Sequence, residues 1–142
     1  MAILYPSNEW CSAWTKVINS SKECAERGAK WGVGFSGSML FELQPDAGLE
    51  KTAYVYINLK EGKASDARLV DDPVKANPGF HCTGLYGQWK RVVKGELDFI
   101  EGLVRGIFRL KGDMTKVMRN AKFMRTLADV ISAIPDVKYL GE

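Results

Sequence analysis

Two runs near the middle of the chain have a period of two, and nothing helical can satisfy them. From Ser38, Met39, Phe41 and Leu43 fall on one side while Leu40, Glu42 and Gln44 fall on the other. From Ala53 to Lys60 the pattern repeats, with Ala53, Val55, Ile57 and Leu59 opposing Tyr54, Tyr56, Asn58 and Lys60. Alternation of this kind is the signature of strands that bury one face. Pro45-Asp46-Ala47-Gly48 between the runs is turn chemistry, so the pair reads as a hairpin or close to one. Glu61-Gly62 is a second tight turn, and a weaker third strand follows over Lys63 to Val70. The chain must therefore contain a sheet and something to cover its apolar side.

Helical spacing supplies the cover. Ser7 caps a helix running towards Gly28, with Trp10, Trp14, Val17, Ile18 and Ala25 on one face. Asp71 to Gly79 reads as a loop, and Phe80 to Leu85 as a short strand. Gln88 to Lys94 is helical with Trp89, Val92 and Val93 inward, and Gly95 stops it. Asp98 caps a short helix carrying Phe99, Ile100, Leu103 and Val104, and Ile107 to Lys111 is a strand with Phe108 and Leu110 on one face. Asp113 then caps the longest predicted helix, Met114 to about Ile134, which Pro135 closes. Its two neighbouring apolar stripes make an arc wider than a helix on a solvated surface needs.

At 142 residues, 46% hydrophobic and 26% charged, the chain has the size and composition of one soluble globular domain. A net charge of +3 is too mild to point to nucleic acid. The sequence shows no secretory leader, address motif or apolar run of the roughly 18 residues that a membrane span requires. Cys11, Cys24 and Cys82 are odd in number and far apart, which fits unpaired thiols used as small apolar residues in a reduced cytoplasmic setting.

Several motifs dissolve on inspection. Gly32-Val33-Gly34-Phe35-Ser36-Gly37 matches G-x-G-x-x-G, but that fingerprint needs a strand before it and a helix after it. Here the order is reversed, so the segment reads as a linker. Ser36 lacks the glycine spacing of a nucleophile elbow, and His81 is the sole histidine, so no catalytic triad is expected. One histidine and three scattered cysteines offer no metal-ligand spacing, and no cofactor is expected. Lys116, Arg119, Lys122 and Arg125 recur every three residues, as a solvated face or as a weak, transient contact with anionic lipid headgroups or ligand phosphates. Met114, Met118 and Met124 share a helix face, and such flexible side chains suit either an ordinary core or an adaptable apolar cavity.

Two segments carry a family resemblance. Ala53-Tyr54-Val55-Tyr56-Ile57-Asn58-Leu59-Lys60-Glu61-Gly62-Lys63 resembles the second strand and following turn of the type-2 sterol carrier protein family. Gly95-Glu96-Leu97-Asp98, seven residues, then Gly106-Ile107-Phe108-Arg109-Leu110-Lys111-Gly112-Asp113-Met114 resembles that family's short helix, strand and Gly-Asp-Met turn. The likeness spans Ser38 to Leu127. It implies an α/β fold with a mainly antiparallel five-stranded sheet covered on one face by helices, in a single lipid-binding domain over 1–142. Residues 1–30 would be a leading helix and 31–142 the sheet and its helices.

The resemblance further implies non-catalytic binding of a fatty acid, fatty acyl-CoA or sterol-like lipid in a tunnel between sheet and helices. By position, the lining would be Met39, Phe41, Val55, Ile57, Phe80, Cys82, Phe108 and Leu110 from strands. Trp89, Val92, Leu103, Met114, Met118, Phe123 and Leu127 would join them from helices. A rival reading is an accessory module with a filled cavity that docks on a partner through Trp10, Trp14, Tyr54 and Tyr56.

Overall fold

The computed structural model describes residues 2–142. A five-stranded sheet has the order β4-β3-β2-β5-β6, from β2 (Met39–Gln44), β3 (Ala53–Lys60), β4 (Lys63–Val70), β5 (Phe80–Leu85) and β6 (Arg109–Lys111). All neighbours run antiparallel except β2 and β5, which are parallel and place Met39 beside Phe80 and Phe41 beside Cys82. The two alternating runs and the weaker third one are thus strands, as expected. Gly62, at φ +78° in the turn between β3 and β4, also packs against the backbone of Cys24 and Ala25, where a side chain has no room.

Helices cover the face bearing Met39, Phe41, Val55 and Ile57. The other face carries half-exposed Glu42, Tyr54 and Tyr56. Leu40 is the exception there, fully buried between Tyr56 and His81 of the adjacent strands. His81 Nε2 lies 2.9 Å from Glu42 Oε1 on this same outer face.

Ser7 caps the leading helix as expected, its side chain accepting from Trp10 N at 3.0 Å. The helix is nevertheless two: α1 (Asn8–Asn19) and α2 (Lys22–Arg27), the second capped by Ser21, which accepts from Cys24 N at 3.1 Å. The physical cause is Asn19, which turns away to pair with edge strand β4, accepting from Ala64 N at 2.8 Å and donating to Ala64 O at 3.0 Å. Asn8 does likewise with Leu69 N at 2.7 Å. Asparagines of α1 therefore engage the exposed edge of the sheet, which would otherwise offer a template for another strand.

Three further helices follow, α3 (Pro73–Ala76), α4 (Tyr86–Val93) and α5 (Phe99–Val104), of which α4 and α5 bury apolar residues. α3 falls where a loop was expected, started by Asp72, whose carboxylate accepts from Val74 N. The long C-terminal helix is divided into α6 (Met114–Arg119), α7 (Ala121–Asp129) and a 3-10 turn over Val130–Ala133. The break is at Asn120, whose side chain donates to Lys116 O at 2.8 Å and whose ψ of 29° leaves the helical range. Asparagine competes with the backbone for helix carbonyls, and here that competition ends the run.

Two short strands, β1 (Ile3–Tyr5) and β7 (Val137–Tyr139), pair in parallel and bring the two ends of the described chain together beside α4. Three-residue strands are too short to leave a periodic trace. Tyr86 clamps them, its hydroxyl donating to Leu140 O at 2.8 Å and to Tyr5 O at 3.3 Å.

Candidate functional site

Between the sheet and the helices lies an apolar cavity of about 50 Å³. Met39, Phe41 and Val55 form its floor; Trp10, Trp14, Trp89, Phe99, Met124 and Leu127 wall it. Room for a few waters falls far short of the roughly 300–1,000 Å³ that encloses a small-molecule ligand. The interior is instead occupied by rings. Trp89 stacks on Phe108 with centroids 4.1 Å apart, Phe41 meets Trp89 edge-on at 5.4 Å, and Trp10 lies 5.2 Å from Trp14.

The polar ends of these rings are held with one exception. Trp14 Nε1 donates to Leu127 O at 2.9 Å and Trp89 Nε1 to Glu42 O at 3.0 Å. Among the described residues, Trp10 Nε1 is buried without a hydrogen-bond partner, a cost of about 1–3 kcal/mol.

A surface groove of about 720 Å³ adjoins the cavity, bounded by the end of α4, Leu97–Phe99, α7 and β7. Val92, Val93, Phe99, Ala128 and Ile131 line both spaces, so one layer of apolar side chains separates the interior from the groove. No helix among the described residues is long and apolar enough to cross a membrane.

The residues expected to line a tunnel fall into three groups. Met39, Phe41, Val55, Trp89, Val92 and Leu127 border the cavity. Ile57, Phe80, Cys82, Leu103, Phe108 and Phe123 are buried in the core without bordering it, and Leu110 and Met118 pack against that core half-exposed. Met114, at 39% exposure, stands on the surface. The division of the helix at Asn120 explains this: α6 and α7 no longer share one stripe, and Met124 alone of the three helix methionines reaches the cavity. Conversely, Trp10 and Trp14, grouped above into a docking patch with Tyr54 and Tyr56, are buried at 2% and 5% exposure and wall the cavity. That patch does not form. Tyr5, Val93, Phe99, Met124, Ala128 and Ile131 also border the cavity and were not among the expected lining; Tyr5 arrives with the short β1 strand, which left no pattern to read.

Other side chains singled out in the sequence are engaged elsewhere. Ser36 Oγ lies 2.9 Å from Ser38 Oγ, while His81 faces Glu42 on the outer sheet face, so the two are not paired. Among the described residues no cluster of His, Cys, Asp and Glu could hold a metal ion. In the basic row, Lys116 binds Asp113 at 3.1 Å and Arg125 binds Asp98 at 3.1 Å, while Arg119 and Lys122 are exposed. Burial pushes the Cys11 and Cys82 thiols up to about 12.

No family model and no curated protein matches the sequence. Solved structures do match. A crystal structure of sterol carrier protein 2 superposes with a TM-score of 0.79 at 24% identity, covering 90% of this chain and 97% of that one. The chain has the sterol carrier protein 2 fold. A conserved hypothetical protein of Thermus thermophilus, described as possibly a sterol carrier protein, gives 0.77 at 23% identity over 88% of this chain and 85% of its own. Domain 2 of the sterol carrier protein of Helicoverpa armigera gives 0.58 at 15% identity, over 91% of this chain and 95% of its own. The sterol-carrier resemblance read from Ala53–Lys63 and Gly95–Met114 thus holds for the fold.

Proposed function

We propose that this protein binds and carries a hydrophobic ligand with a long acyl or sterol-like body, without chemically changing it. The observation that carries the reading is the shared wall: an apolar interior separated from a surface groove by Val92, Val93, Phe99, Ala128 and Ile131 alone. The fold shared with proteins named for sterol carriage supports it. Affinity would come from burying hydrocarbon, at roughly 0.8 kcal/mol per methylene.

The cavity as it stands is too small, so binding requires displacement of its walls. Met124 and Met39 are suited to this, since an unbranched thioether repacks at little cost. The rings of Trp89 and Phe99, stacked 6.0 Å apart, would separate to admit a chain from the groove. Filling the space would replace ring-on-ring contacts by ring-on-alkyl contacts, so the interior stays dry in both states.

Native mass spectrometry of the purified protein tests the reading, with competition against a fluorescent fatty acid. A co-purified or displaceable lipid at one-to-one stoichiometry is the expected result. Palmitoyl-CoA should displace the probe with its thioester intact. Failure of every acyl and sterol probe to bind would overturn the proposal, and turnover of the thioester would overturn its non-catalytic part.

A further inference from the structure

Lys94, which lines the groove, belongs to a carboxylate site that hydrocarbon binding does not explain. Lys90 in α4 and Lys94 at its C-terminal end are one turn apart and face β7. Lys90 Nζ donates to Glu142 Oε2 at 3.0 Å, and Lys94 Nζ donates to the same oxygen at 2.7 Å and to Oε1 at 3.0 Å. Two ammonium groups on one helix face repel each other, and an anion between them removes that cost.

Both lysines are oriented by something other than the carboxylate. Lys90 Nζ lies 5.2 Å from the centroid of the Tyr86 ring and Lys94 Nζ 4.6 Å from that of Tyr139. Tyr86 is itself fixed by its bonds to Leu140 O and Tyr5 O. The two lysine side chains are also secluded, at 13% and 29% exposure, while the other ion-paired Lys and Arg side chains run from 40% to 89%. Such pre-orientation means that an incoming anion orders little that is not ordered already.

Lys94 and Tyr139 line the groove whose inner wall is also the wall of the cavity. Asp98, Asp129 and Arg125 also line the groove, and Arg125 is already paired with Asp98, so the lysines are left as the site for a negative head. The Lys94 and Lys90 bonds also hold the Glu142 carboxyl below its ordinary value, as expected of a site that prefers the charged form.

We propose that Lys90 and Lys94 are the head-group site for an amphiphile ending in a carboxylate, whose chain passes the shared wall into the cavity, and that the Glu142 side chain occupies this site in the free protein as an internal competitor. This rests on the carrier reading above and adds the ligand's polar chemistry to it. Binding exchanges one carboxylate for another, so neither lysine is left unpaired, and Glu142 swings out to water.

Dissociation constants for palmitate and hexadecan-1-ol test the exchange, measured at low salt on the whole chain and on Glu142→Gln and Lys94→Met variants whose melting is checked. The unaltered protein should prefer the acid. Glu142→Gln should tighten palmitate about two- to fivefold, the scale of an exposed ion pair, and leave the alcohol unchanged. Lys94→Met should erase the preference while the alcohol still binds. An unaltered palmitate affinity in Glu142→Gln, or a preference that survives Lys94→Met, overturns the head-group assignment alone. If neither the acid nor the alcohol binds any variant, the carrier reading falls and takes this assignment with it.

Discussion

The covered face of the sheet carries two aromatic clusters, and they differ in what they border. At one end Trp31 packs against Phe80 at 4.9 Å, against Phe35 edge-on at 5.2 Å and against Phe123 at 6.2 Å. Backbone presses on this cluster from two sides. A Cβ at Gly28 would lie 2.5 Å from Phe123 Cε1, and one at Gly37 would lie 2.7 Å from Trp31 Nε1, which donates to Gly37 O at 2.9 Å. At the other end Trp10, Trp14, Phe41, Trp89 and Phe99 surround the cavity, and Trp10 Nε1 has no partner among the described residues. Aromatic content therefore does not mark a binding region. Backbone also presses on the second end, where a Cβ at Gly84 would run into Phe108 Cδ1 and lie 3.4 Å from Trp89 Nε1. What distinguishes the two ends is that the second borders both the cavity and the groove.

Phe123 and Met124 are adjacent on α7 yet point into different ends, so they can break the comparison most sharply. Phe123→Ala should cost about 3–5 kcal/mol in chemical denaturation, because the end around Trp31 has no means of collapsing, and it should leave probe affinity intact in the folded fraction. Met124→Ala should cost about 2–3 kcal/mol and change acyl-probe affinity severalfold, since it alters the cavity wall directly. Equal effects of both on binding would remove the distinction between the ends.

Alkaline pH probes the core next to the cavity through two buried thiols. Cys11 lies on α1 beside Trp10, and Cys82 is opposite Phe41 in the sheet register. Burial pushes both from an ordinary 9.0 to about 12. Being neutral when folded, they lend stability that is fully present below pH 9.0 and is lost as pH rises from there towards about 12. The slope should be on the order of 1.4 kcal/mol per pH unit for each thiol. Thiol titration should find slow reaction in the folded state and three free groups in denaturant, as three free, buried cysteines require. The smallest effect belongs to Met114→Glu, which should shift stability by no more than about 0.5 kcal/mol and leave probe affinity unchanged, because Met114 is on the surface.

The strands of the sheet were legible because period-two alternation in Met39–Gln44 and Ala53–Lys60 records burial directly, and Ser7, Asp98 and Asp113 marked helix starts through their capping chemistry. Helix ends were less legible. Asn19 and Asn120 interrupt apolar stripes that continue across them, and only tertiary pairing with Ala64 in one case, and bonding back to Lys116 in the other, shows that the helix stops. That error carried into the site, since a continuous helix would have placed Met114, Met118 and Met124 together. Trp10 and Trp14 had the spacing of a buried face from the outset. Which void they would border depended on β1 and on the helix break, and neither leaves a pattern that spacing can reveal.

The central claim is that ligand enters by parting the cavity-bordering end while the end around Trp31 stays fixed. The chain has five methionines, and labelling their methyl groups with carbon-13 compares the cavity-lining Met39 and Met124 with Met114 and Met118 of α6 in one spectrum. On titration with palmitate, Met124 and Met39 should shift or broaden strongly, and Met118 and Met114 should remain in place. Saturable binding that moves Met118 or Met114 while leaving Met124 and Met39 unchanged would contradict the account.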